Sequence, residues 1–276
     1  RGPASCCGLV GLKPTRGRNS LGPDAGEYWN GLVVEHVVSR SLRDTAALLD
    51  CTAGAAAGDP YIAPLPERPY LEELTRETGC LKIGFAIQGP KGMAFDADCL
   101  RAVTETATTL EQLGHQVEIV SPRWDTESLS EAVMDIFAAA TAWDIEDRAV
   151  ATGVKPSNEL LENTNLWLWE RGRRLDAIGL LRATRRLNEA SRSFASFFEN
   201  HDIWMTPTMA QLPPKLGYLD SNLEDAEQFF ERLWRFNPFN SIYNATGLPA
   251  ITLPLHMSAS GLPVGIMLGA RFGGED

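Results

Sequence analysis

The sequence predicts an α/β protein in which long helices pack on both sides of a mixed central sheet, an α/β/α sandwich. Residues 81–87 and 116–120 are short apolar runs, and residues 97–113 between them place apolar side chains at helical spacing. A strand, a helix and a second strand in close succession form a βαβ unit, whose two strands are parallel. Residues 249–255 and 262–268 flank a Ser-Ala-Ser-Gly turn and are typical of an antiparallel pair. Parallel and antiparallel strands together predict a mixed sheet.

Capping residues and helix breakers predict the elements of the first third. Ser41-Leu-Arg-Asp44 is similar to a capping box and begins a helix, which the Ala/Gly run from Gly54 to Gly58 ends. Residues 59–69 contain four prolines. Because proline removes a backbone donor and fixes φ, this segment is predicted to be a surface loop.

Long helices are predicted in the second half. One covers about residues 127–152, and the next covers about residues 157–200 with a bend or split near Gly172 or Gly179. Residues 202–205 form a short apolar run that predicts a brief strand.

Composition argues against several classes of partner. The chain has 36 acidic and 25 basic residues, a net charge of -11, and its basic residues are scattered. Scattered, outnumbered cations argue against nucleic acid and anionic membranes as partners. The longest apolar stretch, residues 136–145, contains Asp144 and is too short to cross a bilayer.

The cysteines and histidines show no pattern of a metal or redox site. The five cysteines, at positions 6, 7, 51, 80 and 99, include no Cys-x-x-Cys, and the four histidines are far apart. An odd number of irregularly spaced cysteines is typical of reduced thiols in a cytoplasmic protein, not of a disulfide framework or a zinc site. From this pattern we expect no zinc site and a cytoplasmic location.

The first segment that indicates a chemistry is Arg1-Gly-Pro-Ala4, with Cys7-Gly-Leu-Val-Gly-Leu-Lys-Pro-Thr-Arg-Gly-Arg18 after it. It resembles the end of the amidase signature, Ser-(aliphatic)-Arg-x-Pro-(small), and the residues that follow that signature. The resemblance implies the amidase-signature α/β/α sandwich and a Ser–Ser–Lys catalytic relay. It places the nucleophilic serine two residues before Arg1 and the bridging serine and the lysine further upstream. No catalytic residue of the relay is therefore expected within residues 1–276.

This register predicts that residues 1–276 are the middle and C-terminal part of a single amidase domain. We expect the domain to be incomplete at the N-terminus and at the C-terminus, because the chain opens on Arg1 and ends on Arg271-Phe-Gly-Gly-Glu-Asp276, which resembles a segment before a last helix. On this interpretation the chain alone is expected to be inactive. It is also expected to aggregate or to be only partly ordered, because strand edges and helix faces would lack partners.

The resemblance also implies roles for individual residues near the nucleophile. In the parent enzyme Arg1 and Pro3 are expected to be structural, with Arg1 pairing with an acidic residue of the nucleophile loop and stiffening it. In residues 1–276 alone, Arg1 is expected to be a frayed terminal residue. Lys13 lies in a segment that the family places in a sheet strand, so a structural role is expected for it as well. Cys6 and Cys7 have no neighbouring His or Asp in the sequence, and we expect neither to be a nucleophile.

A second segment resembles the same family and supplies candidate substrate contacts. It comprises Asn240-Ser-Ile-Tyr-Asn-Ala-Thr-Gly-Leu-Pro-Ala250 and Gly261-Leu-Pro-Val-Gly265. Tyr243 and Thr246 are proposed to contact substrate, while the glycines and prolines fix tight turns and strand starts. Thr141, on the helix around residues 137–143, is the third candidate, and core packing accounts for that helix equally well.

The resemblance implies a carbon–nitrogen hydrolase that cleaves a small carboxamide through an acyl-enzyme, without metal or organic cofactor. Residues 22–27 and 34–40 look closer to bacterial amidases of the 6-aminohexanoate-cyclic-dimer hydrolase type than to the transamidosome subunit. A cyclic-amide hydrolase is therefore the alternative enzyme. A catalytically inactive remnant is the alternative of a different class. The resemblance also leans towards a homodimer.

Overall fold

The structure, a computed structural model, describes residues 1–276 and contains one seven-stranded mixed sheet with helices packed around it. The strands are β1 (Val10–Lys13), β2 (Val38–Ser39), β3 (Lys82–Phe85), β4 (Gln116–Ile119), β5 (Ile203–Pro207), β6 (Ala250–Met257) and β7 (Pro263–Ala270). The helices are α1 (Gly2–Cys6), α2 (Leu42–Thr52), α3 (Tyr70–Glu73), α4 (Ala97–Gln112), α5 (Thr126–Thr152), α6 (Asn163–Arg174), α7 (Ala177–Ala195), α8 (Ala226–Phe236) and α9 (Asn240–Thr246).

The sheet has the strand order β2-β1-β6-β7-β5-β3-β4. β3 is parallel to both β4 and β5, whereas the other neighbouring strands are antiparallel. The predicted βαβ unit is confirmed as β3-α4-β4, and the predicted antiparallel pair is confirmed as β6 and β7. The mixed sheet that these two units require is therefore present.

The predicted helices are present, but the second long one differs in its bounds. It begins at Asn163 and not at residue 157, and α7 ends at Ala195. The segment is split, but the break falls between α6 and α7 at residues 175–176 and not at Gly172 or Gly179. Asp176 starts α7 because its carboxylate accepts a hydrogen bond from the Gly179 N–H at 2.7 Å. Gly172 instead lets α6 approach α5, since a Cβ there would overlap the Ala138 carbonyl. No helix of the chain has the length and apolar character that a membrane crossing requires.

The centre of the core is an aromatic cluster over β5. Trp204 and Tyr243 are both fully buried, and Phe194 packs edge-on against each of them at 5.4 and 5.7 Å between ring centroids. Edge-to-face rings of this kind add to the stabilisation from apolar burial. Because Tyr243 belongs to α9 and Trp204 to β5, the cluster fixes α9 against the sheet.

A buried ion pair joins the segment after β1 to the last residues of the chain. Arg18 and Glu275 have side chains only 2% and 0% exposed, and Nη2 of the arginine lies 3.0 Å from Oε2 of the glutamate. The same carboxylate accepts the Thr15 N–H at 2.7 Å, and Arg18 also donates to the Pro64 carbonyl. Burial alone would raise the pKa of Glu275, but the hydrogen bonds from Arg18 and Thr15 outweigh it and hold the pKa below its usual value.

We predict that Glu275→Gln lowers the free energy of unfolding by about 3 kcal/mol, because it leaves the Arg18 charge buried without a counter-ion. Urea denaturation monitored by circular dichroism measures the change. Asp276→Asn is the control, since the Arg271–Asp276 pair is exposed and 3.8 Å long and is worth less than about 1 kcal/mol. Equal effects of the two substitutions would contradict the prediction.

Candidate functional site

Arg1 reaches from the start of α1 across to α9. Its Nη1 donates to the Asn240 carbonyl at 3.1 Å and its Nη2 donates to Asn244 Oδ1 at 2.5 Å. The guanidinium carbon lies 5.7 Å from the ring centre of Tyr243, within the range of a cation–π contact. Burial lowers the pKa of Arg1 to about 10, so the group stays charged at neutral pH. Arg1 is thus held by defined contacts and is not a frayed terminal residue. Its partners within residues 1–276 are neutral, and the acidic partner in the nucleophile loop stays a prediction.

Asn244 links three parts of the chain. Besides accepting from Arg1, its Nδ2 donates to the Leu32 carbonyl at 2.7 Å. Its own carbonyl and that of Ala245 accept from Arg16 Nη2 at 2.7 and 2.9 Å. These carbonyls lie in the last turn of α9, where the partial negative charge of a helix favours a cation. Two arginines therefore hold α9. Arg1 binds Asn240 and Asn244 along one side of the helix, and Arg16 binds the carbonyls at its C-terminal end.

Beside Arg1 lies a cavity of about 270 Å³, which we call the first cavity. Its lining combines apolar side chains from α5 and α8 with amide and hydroxyl groups from α9 and from Asn237, the residue after α8. The lining residues are Arg1, Gly2, Pro3, Leu32, Val133, Phe137, Leu233, Trp234, Asn237, Asn240, Ser241 and Asn244. None of them is acidic. The cavity is therefore suited to an uncharged ligand with an apolar part.

One polar atom of this lining has no partner inside the protein. The Asn240 Nδ2 donates to Asn237 Oδ1 at 2.5 Å, while the buried Oδ1 of Asn240 accepts no hydrogen bond. Buried polar atoms in folded proteins are almost always paired. A ligand that carries an N–H group would supply the donor that this oxygen lacks.

The structure places the sequence-predicted residues in two groups. Arg1 and Pro3 line the first cavity, with Pro3 in the first turn of α1, where its missing N–H has no cost. Tyr243 and Thr246 lie within the core, and Thr141 is half-buried one turn after Phe137 on α5. None of these three belongs to the cavity lining. Direct contact of Thr141, Tyr243 or Thr246 with a substrate stays a prediction.

The burial of Tyr243 and Thr246 has local causes. Tyr243 lies against β7 at Gly269, where a Cβ would overlap its phenol ring. Burial raises the pKa of the Tyr243 phenol, which has no hydrogen-bond partner. The Thr246 hydroxyl donates to the Ile242 carbonyl at 2.8 Å, back into its own helix. Gly247 then ends α9 in the left-handed conformation, with φ of 74°.

Apart from Arg1, Pro3 and Phe137, which begins the helix segment 137–143, the residues that line the cavity were absent from the sequence prediction. Asn240 and Asn244 are four residues apart and so share one face of a helix. The sequence predicts this helix if Gly247 is taken as its C-terminal end. Helix α8 also has a readable start, because Asp225 accepts the Glu227 N–H at 2.9 Å. The sequence could not show that Leu233 and Trp234 on α8 face Phe137 on α5, because this contact depends on packing between distant elements.

Lys13 and Cys6, the other groups with nucleophilic chemistry near Arg1, are both buried to some degree. Lys13 is 5% exposed at the end of β1 and its Nζ donates to the Pro14 carbonyl at 2.6 Å. Burial, and then the charges of Arg1 and Arg16, hold the pKa of Lys13 well below its usual value. Burial and the neighbouring Cys7 raise the pKa of the Cys6 thiol, which disfavours the reactive thiolate. Structural roles fit both residues.

Comparison with known proteins gives a consistent result over the whole chain. The family model described as Amidase matches residues 1–276. A 6-aminohexanoate-cyclic-dimer hydrolase from Paenarthrobacter ureafaciens is 34% identical, over 99% of this chain and 58% of that protein. A putative amidase from Synechocystis is 33% identical, over 97% of this chain and 49% of that protein.

Solved structures show the same likeness. A structure of 6-aminohexanoate cyclic dimer hydrolase superposes with a TM-score of 0.89 at 31% identity, over 100% of this chain and 59% of the other. A bacterial aryl acylamidase of the amidase signature family superposes with a TM-score of 0.78 at 14% identity, over 98% of this chain and 56% of the other, and it supports the fold alone. The chain spans about half to three fifths of the length of these relatives.

We predict that Asn244→Leu lowers the free energy of unfolding by about 3 kcal/mol. The substitution leaves the Arg1 guanidinium without a side-chain acceptor and the Leu32 carbonyl without a donor. Urea denaturation measures the change. Ser241→Ala is the control on the same helix, because its hydroxyl makes no hydrogen bond within the protein, and it is expected to change stability by less than about 0.5 kcal/mol. The bridge through Asn244 is wrong if both variants unfold alike.

We predict that Lys13→Met makes the protein more stable at neutral pH and that this gain shrinks as the pH rises. The unfolded lysine binds its proton up to about pH 10.4, whereas the folded one loses it at a lower pH. Stability of the wild type therefore rises with pH between these two values, and the Met variant lacks this contribution. Urea midpoints of both proteins at several pH values between 7 and 10 measure the difference. A gain that does not depend on pH would contradict a lowered pKa at Lys13.

Proposed function

The chain belongs to the amidase family, and from that premise we propose that the protein hydrolyses the C–N bond of a small, uncharged carboxamide through an acyl-enzyme. The first cavity is the proposed place of the substrate. The resemblance at Arg1-Gly-Pro-Ala4 puts the nucleophilic serine two residues before Arg1, which itself lines that cavity. The proposal includes a cytoplasmic location and a homodimer.

The proposal rests on one observation. In the first cavity, a buried acceptor without a hydrogen-bond partner lies beside an apolar wall. Asn240 Oδ1 is buried and accepts no hydrogen bond, and a carboxamide has an N–H that could donate to it. Phe137 and Trp234 offer apolar surface to the rest of the substrate. The absence of acidic lining residues disfavours an ammonium group, and the guanidinium of Arg1 is already occupied by Asn240 and Asn244. A neutral amide meets all of these conditions.

The residues of the chain bind and orient, and none is proposed to act in the chemical step. Amide hydrolysis needs a nucleophile, a base and donors for the oxyanion, and the resemblance places these upstream of Arg1. Arg1 and Asn244 hold the start of α1 against α9. Holding the residues next to a nucleophile in one geometry is what makes the attack efficient.

Hydrolysis of a cyclic amide is the second candidate. It is favoured by the two proteins named 6-aminohexanoate cyclic dimer hydrolase, one 34% identical and one with a TM-score of 0.89. A cyclic diamide has N–H groups and alkyl chains and no free charge. It therefore meets the same conditions as a linear neutral amide.

The proposal predicts turnover only when the upstream coding sequence is present. The gene expressed with that sequence is expected to hydrolyse hexanamide or 6-aminohexanoate cyclic dimer, and a serine-directed sulfonyl fluoride is expected to stop it. Residues 1–276 alone are expected to be inactive, because loss of a relay costs several orders of magnitude in rate. Ammonia release and product amine are the measurements. Turnover by residues 1–276 alone, lost on Lys13→Ala or Cys6→Ala, would overturn the assignment.

A substitution in the cavity wall tests where the substrate binds. Phe137→Ala is expected to raise the KM for hexanamide about tenfold and the KM for acetamide much less, because it removes apolar contact with the longer chain. Trp143→Ala is the matched control, since Trp143 lies on the same helix but is 59% exposed. Equal effects of the two substitutions would place the substrate elsewhere.

A further inference from the structure

A second cavity, of about 290 Å³, lies where the parallel strands β3 and β4 end. Residues 88–92, in the loop that follows β3, and residues 121–124, in the loop that follows β4, form its rim. Trp204 and Phe239 form part of its inner wall. Open α/β sheets bind their ligands outside the carboxyl ends of parallel strands. The second cavity occupies that position and shares no lining residue with the first cavity.

The charged groups at this rim favour an anion. None of the twelve lining residues is acidic, although acidic residues outnumber basic ones 36 to 25 in the chain. Arg123 is exposed, and its one hydrogen bond is made by its main-chain carbonyl, which accepts from Ser193 Oγ at 2.5 Å. Its guanidinium is therefore unpaired. Lys91 also lines the rim, but its ammonium is paired with Glu127 at 2.9 Å.

The wall contains a buried donor without an acceptor. Trp204 is 0% exposed, and its indole Nε1–H has no hydrogen-bond partner. An indole nitrogen can only donate, and a buried donor without a partner is uncommon and requires an explanation. The hydroxyls of Ser121 and Thr126, also in the lining, make no hydrogen bond within the protein. Every unpaired polar group just named can therefore donate to an oxygen of a ligand.

The remaining wall of the second cavity is aromatic, which narrows the range of ligands that fit it. Trp124 and Phe239 both line the cavity, and their ring centroids lie 5.7 and 5.4 Å from that of Trp204. Trp124 is the half-buried ring of the three, and an inorganic phosphate has no apolar part to pack on it. An organic anion would use both the donors and the Trp124 ring.

We propose that the second cavity binds a small organic carboxylate, whose oxygens accept from Arg123 and the unpaired donors and whose apolar part packs on Trp124, which adjoins Trp204. Of the acidic groups nearby, Glu127 is paired with Lys91, and Asp125 caps α5 by accepting the Ser128 N–H at 3.0 Å. The two cavities are connected by neighbouring residues of the chain, because Phe239 lines the second cavity and the next residue, Asn240, lines the first.

Isothermal titration calorimetry of benzoate tests the proposal on the protein expressed with its upstream coding sequence. Benzoate is expected to bind saturably, and Arg123→Gln is expected to weaken it about tenfold or more, because a charge-assisted hydrogen bond is lost. Arg182→Gln is the matched control, since Arg182 is exposed on α7 and has no ion pair, and it is expected to leave binding unchanged. Benzyl alcohol and inorganic phosphate are each expected to bind far more weakly than benzoate.

Fluorine NMR of protein labelled with 5-fluorotryptophan locates the ligand. The Trp204 signal is identified by its loss in Trp204→Phe. Its chemical shift is expected to change with added benzoate over the same concentration range in which calorimetry records the heat of binding. If that variant does not fold, Arg123→Gln decides by calorimetry. Asn244→Leu separates the two cavities, because it alters the first and is expected to leave benzoate binding intact.

Four results would overturn the proposal. These are absence of saturable binding, equal binding by wild type and Arg123→Gln, phosphate as tight as benzoate, and binding that is lost in Asn244→Leu but kept in Arg123→Gln. The last result would place benzoate in the first cavity. Binding at the second cavity does not depend on amide hydrolysis, so an inactive protein that binds benzoate would separate this proposal from the proposed function.

Discussion

The structure around the first cavity depends on how a seven-residue helix is held. A helix as short as α9 is unstable by itself in water, and here Arg1 binds the Asn240–Asn244 side while Arg16 binds the carbonyls of its last turn. These bonds use neutral acceptors and the helix dipole, so two cations are satisfied without any carboxylate. Because no acid is needed there, the first cavity keeps a lining without acidic residues. Phe239 and Asn240, at the start of the helix, then lie in different cavities.

The segment that follows β1 shows three ways of placing a cation inside a protein. Lys13 has one carbonyl partner, and burial favours its neutral form. Arg16 keeps its charge and binds helix carbonyls. Arg18, beyond the reach of α9, is paired with Glu275, which is fully buried. The difference follows from the side chains, since lysine can lose its proton at moderate cost while arginine cannot. An arginine therefore needs acceptors wherever the fold buries it.

The sequence predicted the regular parts of the fold better than the site. The β3-α4-β4 unit, α5 and the β6–β7 pair follow from hydrophobic periodicity and turn residues, which are local properties. The position of the break between α6 and α7 was missed, although Asp176 caps α7, because Gly172 and Gly179 are stronger breakers on sequence grounds. The acidic partner in the nucleophile loop that the resemblance gives to Arg1 stays a prediction, and within residues 1–276 Arg1 binds amide and carbonyl oxygens. The substrate contact of Tyr243 also stays a prediction, and the burial of its ring depends on Gly269 of β7, a distant element.

The two segments that resemble the amidase family are far apart in the sequence and adjacent in the structure. β1 pairs with β6, placing Lys13 opposite Ala250, and the Gly265 N–H donates to Ser5 Oγ at 3.2 Å. The matching residues thus form one unit of strands, α1 and α9 that supports the first cavity from one side. Its opposite wall, with Phe137 on α5 and Trp234 on α8, comes from segments without such a pattern. The sequence can therefore identify the family, because the matching residues form the part of the structure that supports the cavity. The choice of substrate depends on α5 and α8, whose apolar faces have the same sequence pattern as helices of an ordinary hydrophobic core. For this reason the shape and charge of the cavity, and not the motif, carry the proposal of a neutral amide.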